Sequence, residues 1–319
     1  MADMTDSAFC RTVRAISPAA DGLIVFREMV SSEAVVRGND KTLDMTDIHE
    51  DERPLVQQIF GSDPATMAES ARIIEEQHHP EGFDINMGCP VYKIVHNFNG
   101  AALMKEPELA SKIVKAMKAV ITVPLSVKIR LGWSDPTECL EFIKVLEQSG
   151  VELVTIHGRT KTQGYSGKAD WQMVGRAKQQ VSIPVLCNGD IHKPELVREA
   201  LDVSKADGVL IARGALGNPW FFSHIASSSP LLLALPSSPR RGWAWCDGVV
   251  GTPVSTEERL RIIRLHAKLH TEQYGGESMR TFRKHLTWYF KGLPGAKTLR
   301  ELLPTINNQS DLESVLLRL

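Results

Sequence analysis

The residues Gly82-Phe83-Asp84-Ile85-Asn86-Met87-Gly88-Cys89-Pro90 take a short apolar run into an amide, a glycine, a thiol and a proline. That order reads as a strand running out into a tight, rigid loop that presents Cys89. Gly88 admits close approach of the backbone to a flat ligand, and Pro90 fixes the turn. Most free cysteines are small buried hydrophobes, so the motif alone leaves both a packing and a functional reading open.

Other polar groups stand at the ends of apolar runs. Lys128 follows residues 125–127, and a cation there suits a ring that gains negative charge, such as a reduced flavin; a solvated rim charge is its commoner fate. His157 stands beside Arg159 at another run's end, either as a satisfied core histidine or as part of a site. Asn188-Gly189-Asp190 and Ala212-Arg213-Gly214 offer glycine N–H groups and a guanidinium on neighbouring strands, a pairing that favours a phosphorylated cofactor.

What positions these groups is a repeat of strand, loop and helix. Apolar runs at residues 23–26, 56–59, 83–86, 125–129, 153–156, 183–187 and 208–211 alternate with helical spacing at 64–77, 107–120, 136–150, 171–180 and from 194 onward. Continuous apolar strands between helices indicate a parallel sheet covered on both faces. Gln58, Asn86, Lys128, His157, Asn188 and Arg213 all fall at C-terminal strand ends, which is the mouth of a TIM (β/α)8 barrel. No Gly-x-Gly-x-x-Gly supports a Rossmann sheet. Seven strands are found, so the first of eight is expected upstream of Met1, behind a misplaced start.

At 319 residues, 43% hydrophobic and 24% charged, the composition is that of a globular chain. A net charge of -1 leaves any nucleic-acid partner to a local patch. Five scattered cysteines without Cys-x-x-Cys indicate reduced thiols in a cytoplasm, and no metal site is expected. No leader and no membrane span is evident.

The patch is found near the C-terminus. Arg259, Arg261, Arg264, Lys268, Arg280, Arg283, Lys284, Lys291, Lys297 and Arg300 interleave with His266, His270, His285, Trp288 and Tyr289. A solvated helix face is the usual reading of such a run; its single sign favours phosphate contact. Helical spacing over residues 260–269 and 282–293 makes a small helical bundle.

Five ordered motifs, Asp84-Ile85-Asn86-Met87-Gly88-Cys89-Pro90, Leu125-Ser126-Val127-Lys128-Ile129-Arg130, Thr155-Ile156-His157-Gly158-Arg159-Thr160, Asn188-Gly189-Asp190 and Ala212-Arg213-Gly214, resemble the bacterial B-like branch of the tRNA-dihydrouridine synthases. The resemblance runs from Met1 to about residue 225 and resumes near Glu257, where Arg283-Lys284-His285-Leu286 and Lys291-Gly292-Leu293-Pro294-Gly295 resemble the family's helical signature. It implies an FMN enzyme, recharged by NADPH or NADH, that reduces the C5=C6 bond of uridine in tRNA. Gln58, Lys128 and His157 then resemble contacts to the isoalloxazine or its side chain, and Asn188, Gly189, Asp190, Ala212, Arg213 and Gly214 resemble the phosphate-end contacts. Asn86 and Arg159 are similar to residues facing the uracil, Arg283, Lys284 and Lys291 to tRNA contacts, and Cys89 to the proton donor at C5. A thiol of unperturbed pKa, ~8.5, is mostly protonated at neutral pH and acts as an acid rather than a nucleophile.

Two departures accompany the resemblance. The family's first strand ends in Ala-Pro-Met, and this chain starts at what resembles that methionine, making Met1 a further flavin contact. Residues 226–254, rich in Ser and Pro, match nothing expected between barrel and bundle and read as a linker or insertion. The expected domains are a barrel over 1–225, this linker over 226–254 and a tRNA-binding bundle over 255–319 in a monomer. Two other classes stay open: an FMN-dependent dehydrogenase of a free pyrimidine, which needs no basic bundle, and a catalytically silent tRNA-binding homologue, which needs no flavin.

Overall fold

The computed structural model describes residues 1–17, 23–95, 99–228, 254–275 and 278–318, and the chain forms two compact units. One comprises Ile24–Ile48 and Arg53–Ala212; the other comprises Met1–Leu23, His49–Glu52 and Arg213–Leu319.

The first unit is a parallel sheet in chain order. β1 (Val25–Phe26) and β2 (Val30–Ser31) share its first position, both pairing with β3 (Leu55–Phe60). There follow β4 (Gly82–Met87), β5 (Leu125–Arg130), β6 (Leu153–His157), β7 (Val185–Asn188) and β8 (Gly208–Val209), every pair parallel. Seven positions in sequence order with helices between them are the TIM-barrel arrangement, and they are the seven runs expected. Only β2 escaped the reading, because Arg27 and Glu28 interrupt the apolar run; both are buried, and the Arg27 guanidinium is held by the carbonyls of Met45 (2.8 Å) and Asp47 (3.0 Å).

Leu55, Ile59, Phe83, Ile85, Val127 and Ile129 are completely buried, as strands covered on both faces must be. The helix Pro64–His78 starts where expected: Asp63 accepts from the Thr66 amide at 2.8 Å, Pro64 fills the first turn, and a left-handed His79 ends it. Register then does the positioning. It sets Gln58 beside Asp84, Asn86 beside Lys128, Arg130 beside His157, and His157 beside Asn188.

The second unit is helical. Thr256–Tyr274, Met279–Tyr289, Ala296–Leu302 and Gln309–Leu316 bury Ile262, Ile263, Phe282, Leu286 and Phe290, and Ser7–Ile16 packs along Thr256–Tyr274. The expected boundary at 225/226 falls within this unit, and residues 229–253 of the 226–254 segment lie outside the described residues.

Candidate active site

The C-terminal ends of β3 and β4 carry a chain of hydrogen bonds. Asp84 is completely buried and accepts from Ser126 Oγ and from Gln58 Nε2, both at 2.6 Å. Asn86 Nδ2 donates to Gln58 Oε1 (2.9 Å) and lies 3.4 Å from Met29 Sδ. Asn86 Oδ1 accepts from the amides of Gly88 (3.2 Å) and Cys89 (2.9 Å), so the amide foreseen at the base also caps the loop that carries the thiol. Gly88 serves a second purpose: a Cβ there would stand 3.2 Å from the Ile129 carbonyl carbon and 3.3 Å from Lys128 O, so the glycine lets the loop lie on β5.

Cys89 is half-buried and free, and its carbonyl accepts from the Ala101 amide at 3.1 Å. Lys128 is half-buried, and among the described residues its ammonium makes no hydrogen bond or ion pair. Burial lowers its pKa to about 8, against the opposing pull of Asp84. Asp84 moves the other way, pushed up to about 6 by burial while Ser126, Gln58 and Lys128 pull it down. Arg130, assigned no role by sequence, is buried and ties two loops: Nε donates to Gly88 O (2.8 Å), and Nη1 to the carbonyls of Thr160 and Gly164 (both 2.9 Å). The available signal was a charge inside an apolar run, shared by Asp84 and Arg130.

At β6 and β7, His157 is buried with the Tyr165 ring edge-on at 6.2 Å. Arg159 is buried; Nη2 donates to Asp190 Oδ2 and Gly167 O, both at 2.6 Å, Nε donates to Ser166 O, and among the described residues Nη1 has no hydrogen-bond partner. Asn188 donates to Leu210 O at 2.7 Å. Gly189 has φ +114°, and a Cβ there would meet Ala169 Cβ at 2.9 Å and His157 Nε2 at 3.3 Å. A half-buried ammonium without an ion-pair partner and a buried guanidinium N–H without an acceptor form a donor set that fits an electron-rich ring, so these residues fit a flavin.

Gln58, Asn86, Cys89, Lys128, His157, Arg159, Asn188, Gly189, Asp190 and Ala212 therefore belong to one unit. Met1, Arg213 and Gly214 belong to the other, where the Met1 ammonium donates to Thr5 Oγ1 and Arg213 is exposed in a single 3-10 turn.

In that helical unit the basic run divides. Arg261 pairs with Glu258 (2.6 Å), Arg264 with Glu313 (2.7 Å), and Lys268 stands 3.8 Å from Glu272. Arg283 donates to Ile306 O (2.8 Å) and Asn307 Oδ1 (3.0 Å). Among the described residues Arg280, Lys284, Lys291 and Lys297 form no ion pair, and Lys291 lies 5.3 Å over the Trp288 ring. His266, His270 and His285, read as interleaved with a phosphate-facing run, are buried instead: His266 and His270 share one helix face at i, i+4, and all three pack against aromatic rings of the core. His270 Nδ1 and His285 Nε2 face Asp6 Oδ2 at 3.7 and 3.8 Å, and the three ligand-type atoms lie within 4.8 Å of one another.

Polar groups converging at the C-terminal ends of a parallel, helix-covered sheet define a barrel-type enzyme. A family model described as dihydrouridine synthase (Dus) matches residues 1–318. A "Probable tRNA-dihydrouridine synthase" of Rickettsia bellii is 34% identical over 311 residues, 97% of this chain and 89% of its own length. A "tRNA-dihydrouridine synthase B" of Pseudomonas syringae pv. tomato is 37% identical over 320 residues, 98% of this chain and 87% of its own length. The chain belongs to the dihydrouridine synthase family. The solved 2-naphthoyl-CoA reductase in complex with 2-naphthoyl-CoA shares the fold alone, with a TM-score of 0.54 and 12% identity over 70% of this chain and 47% of that one. Among the described residues no helix is long and apolar enough to cross a membrane.

Proposed function

We propose that this protein reduces the C5=C6 bond of uridine in tRNA, with Cys89 as the proton donor and the thiol-bearing loop beside Lys128 as the observation that carries the reading. Gln58, Lys128, His157, Asn188, Gly189, Asp190 and Ala212, all in one unit, would hold FMN. When bound, FMN recharged by NADPH supplies a hydride to C6 of the uracil ring.

The rest of the reaction falls to this chain. Hydride addition at C6 leaves enolate character at C5, and the Cys89 S–H bond breaks to form the new C5–H bond, solvent reprotonating the thiolate. Lys128, with a pKa of about 8, is mostly charged at neutral pH and would stabilise negative charge on a reduced ring held there. The unpartnered Arg159 Nη1 is a donor for a uracil carbonyl, and Asn86 holds the loop from which Cys89 acts. The base must leave its stack to reach this site, and Arg283, Lys284 and Lys291 would meet tRNA phosphates. Free thiols at Cys89, Cys139 and Cys187 suit a reducing cytoplasm.

The test is an absorbance spectrum of the purified protein and dihydrouridine mass spectrometry on unmodified tRNA incubated with it and NADPH. Flavin absorbance and tRNA product, with product lost in Cys89→Ala but flavin retained, support the reading. Reduction of free uracil in preference to tRNA, or a colourless protein that binds tRNA without modifying it, overturns it.

A further inference from the structure

We propose that Asp84, whose side chain among the described residues bonds Ser126 and Gln58 and not the thiol's loop, is a positioning residue that sets the orientation of Cys89 through Gln58 and Asn86. Hydrogen-bond polarity carries the orientation from one side chain to the next. A carboxylate only accepts, whereas a carboxamide presents a donor at one end and an acceptor at the other. Asp84 Oδ2 therefore obliges Gln58 to turn its NH2 inward, at 2.6 Å. Gln58 Oε1 then faces Asn86 and obliges that residue to turn its NH2 toward it, at 2.9 Å. Only in that orientation is Asn86 Oδ1 left for the amides of Gly88 and Cys89.

Both amides are nearly isosteric under a half-turn. Without an acceptor-only group at the root, the opposite polarity becomes accessible, and it would bring Asn86 NH2 against two backbone N–H donors. The root is firmly set: Asp84 is completely buried, its other oxygen takes the Ser126 hydroxyl at 2.6 Å, and the nearby Lys128 cation favours its ionised form. A buried charge is costly to keep, and one that fixes the polarity of a four-residue chain has a reason to be kept.

The proposal rests on the functional reading only for its turnover readout, so the first measurement is independent of turnover. Iodoacetamide labelling of Cys89 in the flavin-bound protein as purified, followed on its peptide by mass spectrometry, reports how firmly the loop is held. Asp84→Asn keeps the volume and removes the acceptor-only root; the labelling rate is expected to rise about tenfold, the effect of losing one hydrogen bond to a charged group. The double variant Asp84→Asn/Gln58→Glu moves the acceptor-only group one link along the chain and still points Asn86 Nδ2 inward, so labelling, compared at equal flavin occupancy because Gln58 is itself placed beside the flavin, is expected to return to the wild-type rate. In turnover, Asp84→Asn is expected to lower kcat for tRNA reduction about tenfold, with KM for tRNA unchanged.

An unchanged labelling rate in Asp84→Asn overturns the proposal, and so does failure of the double variant to restore it. Altered labelling in a series in which even the wild type reduces no tRNA sinks the proposed function and leaves the positioning role standing. Should Asp84→Asn not fold, Gln58→Met breaks the chain at the next link, and the same labelling assay decides.

Discussion

Arg159 Nη2 donates to Asp190 Oδ2 across 2.6 Å, joining a residue that the motif resemblance sets against the uracil to one that it sets at the flavin's phosphate end. Arg159 is almost wholly buried, and Asp190 Oδ2 also accepts from the Ala169 amide at 2.8 Å. The carboxylate thus organises the loop from Ser166 to Ala169 against the guanidinium. Among the described residues Arg159 Nη1 is left without a hydrogen-bond partner.

Asp190→Ala is accordingly expected to destabilise the protein by about 1–3 kcal/mol, since it leaves a buried guanidinium short of one charged partner that the Ser166 and Gly167 carbonyls only partly replace. Urea unfolding at neutral pH measures this. An unchanged midpoint would show that the pair contributes nothing net.

Lys128→Met is expected to stabilise the fold while impairing function. Burial depresses the Lys128 pKa to about 8, below its ordinary value of 10.5, so the folded protein binds this proton less tightly than the unfolded chain does and the charge, still present at pH 7, is a cost to folding. Removing it is expected to raise unfolding free energy at pH 7 by about 1–2 kcal/mol and to lower flavin retention. A variant both less stable and fully flavin-loaded would show that the cation serves packing alone.

Much of this was legible in the chain, and the misses share a cause. The apolar runs declare the strands because a sheet covered on both faces tolerates few polar residues, and the polar residues that do occur cluster at one end of each strand. Period and caps do not reveal which neighbour consumes each polar group. Asn86 is visible as an amide before a thiol; that it accepts from Gly88 and Cys89 while donating to Gln58 depends on the β3–β4 register. The basic C-terminal run was read as one-signed, but Glu258 and Glu313, near and far in sequence, take up Arg261 and Arg264. His270 and Asp6 meet only because Ser7–Ile16 packs on Thr256–Tyr274, a contact that no local pattern announces.

Gly217→Ala is expected to be severe. Gly217 has φ +66°, and a Cβ would stand 2.3 Å from the Trp288 carbonyl carbon and 2.4 Å from its oxygen. Two backbones cannot part without disturbing Trp220 and Tyr289 in the same core, so a loss of about 3 kcal/mol or more is expected from overpacking and left-handed strain together. Thermal unfolding of the purified variant measures it; a shift of only a degree or two would mean that the turn relaxes freely.

Acid is expected to unfold the helical unit earlier than ordinary carboxylate titration would. Asp6 caps Ser7–Ile16 through Oδ1, and although burial pushes its pKa up, His270 and His285 beside Oδ2 hold it well below the usual carboxylate value. A depressed carboxylate contributes stability above pH ~4 that is lost as pH falls through the folded-state pKa. His266 and His285 are shifted down mainly by burial, so the unfolded chain binds their protons first as pH drops below ~6.5. All three groups act in one direction, and stability is expected to fall from pH 7 to pH 5, each histidine contributing a slope approaching ~1.4 kcal/mol per pH unit. His266→Gln keeps an amide for the Tyr289 hydroxyl, 3.1 Å from Nδ1 in the wild type, and is expected to remove one histidine's share of that slope. Urea midpoints for both proteins at half-unit pH steps decide it, and parallel curves would mean that His266 takes up no proton on unfolding in this range.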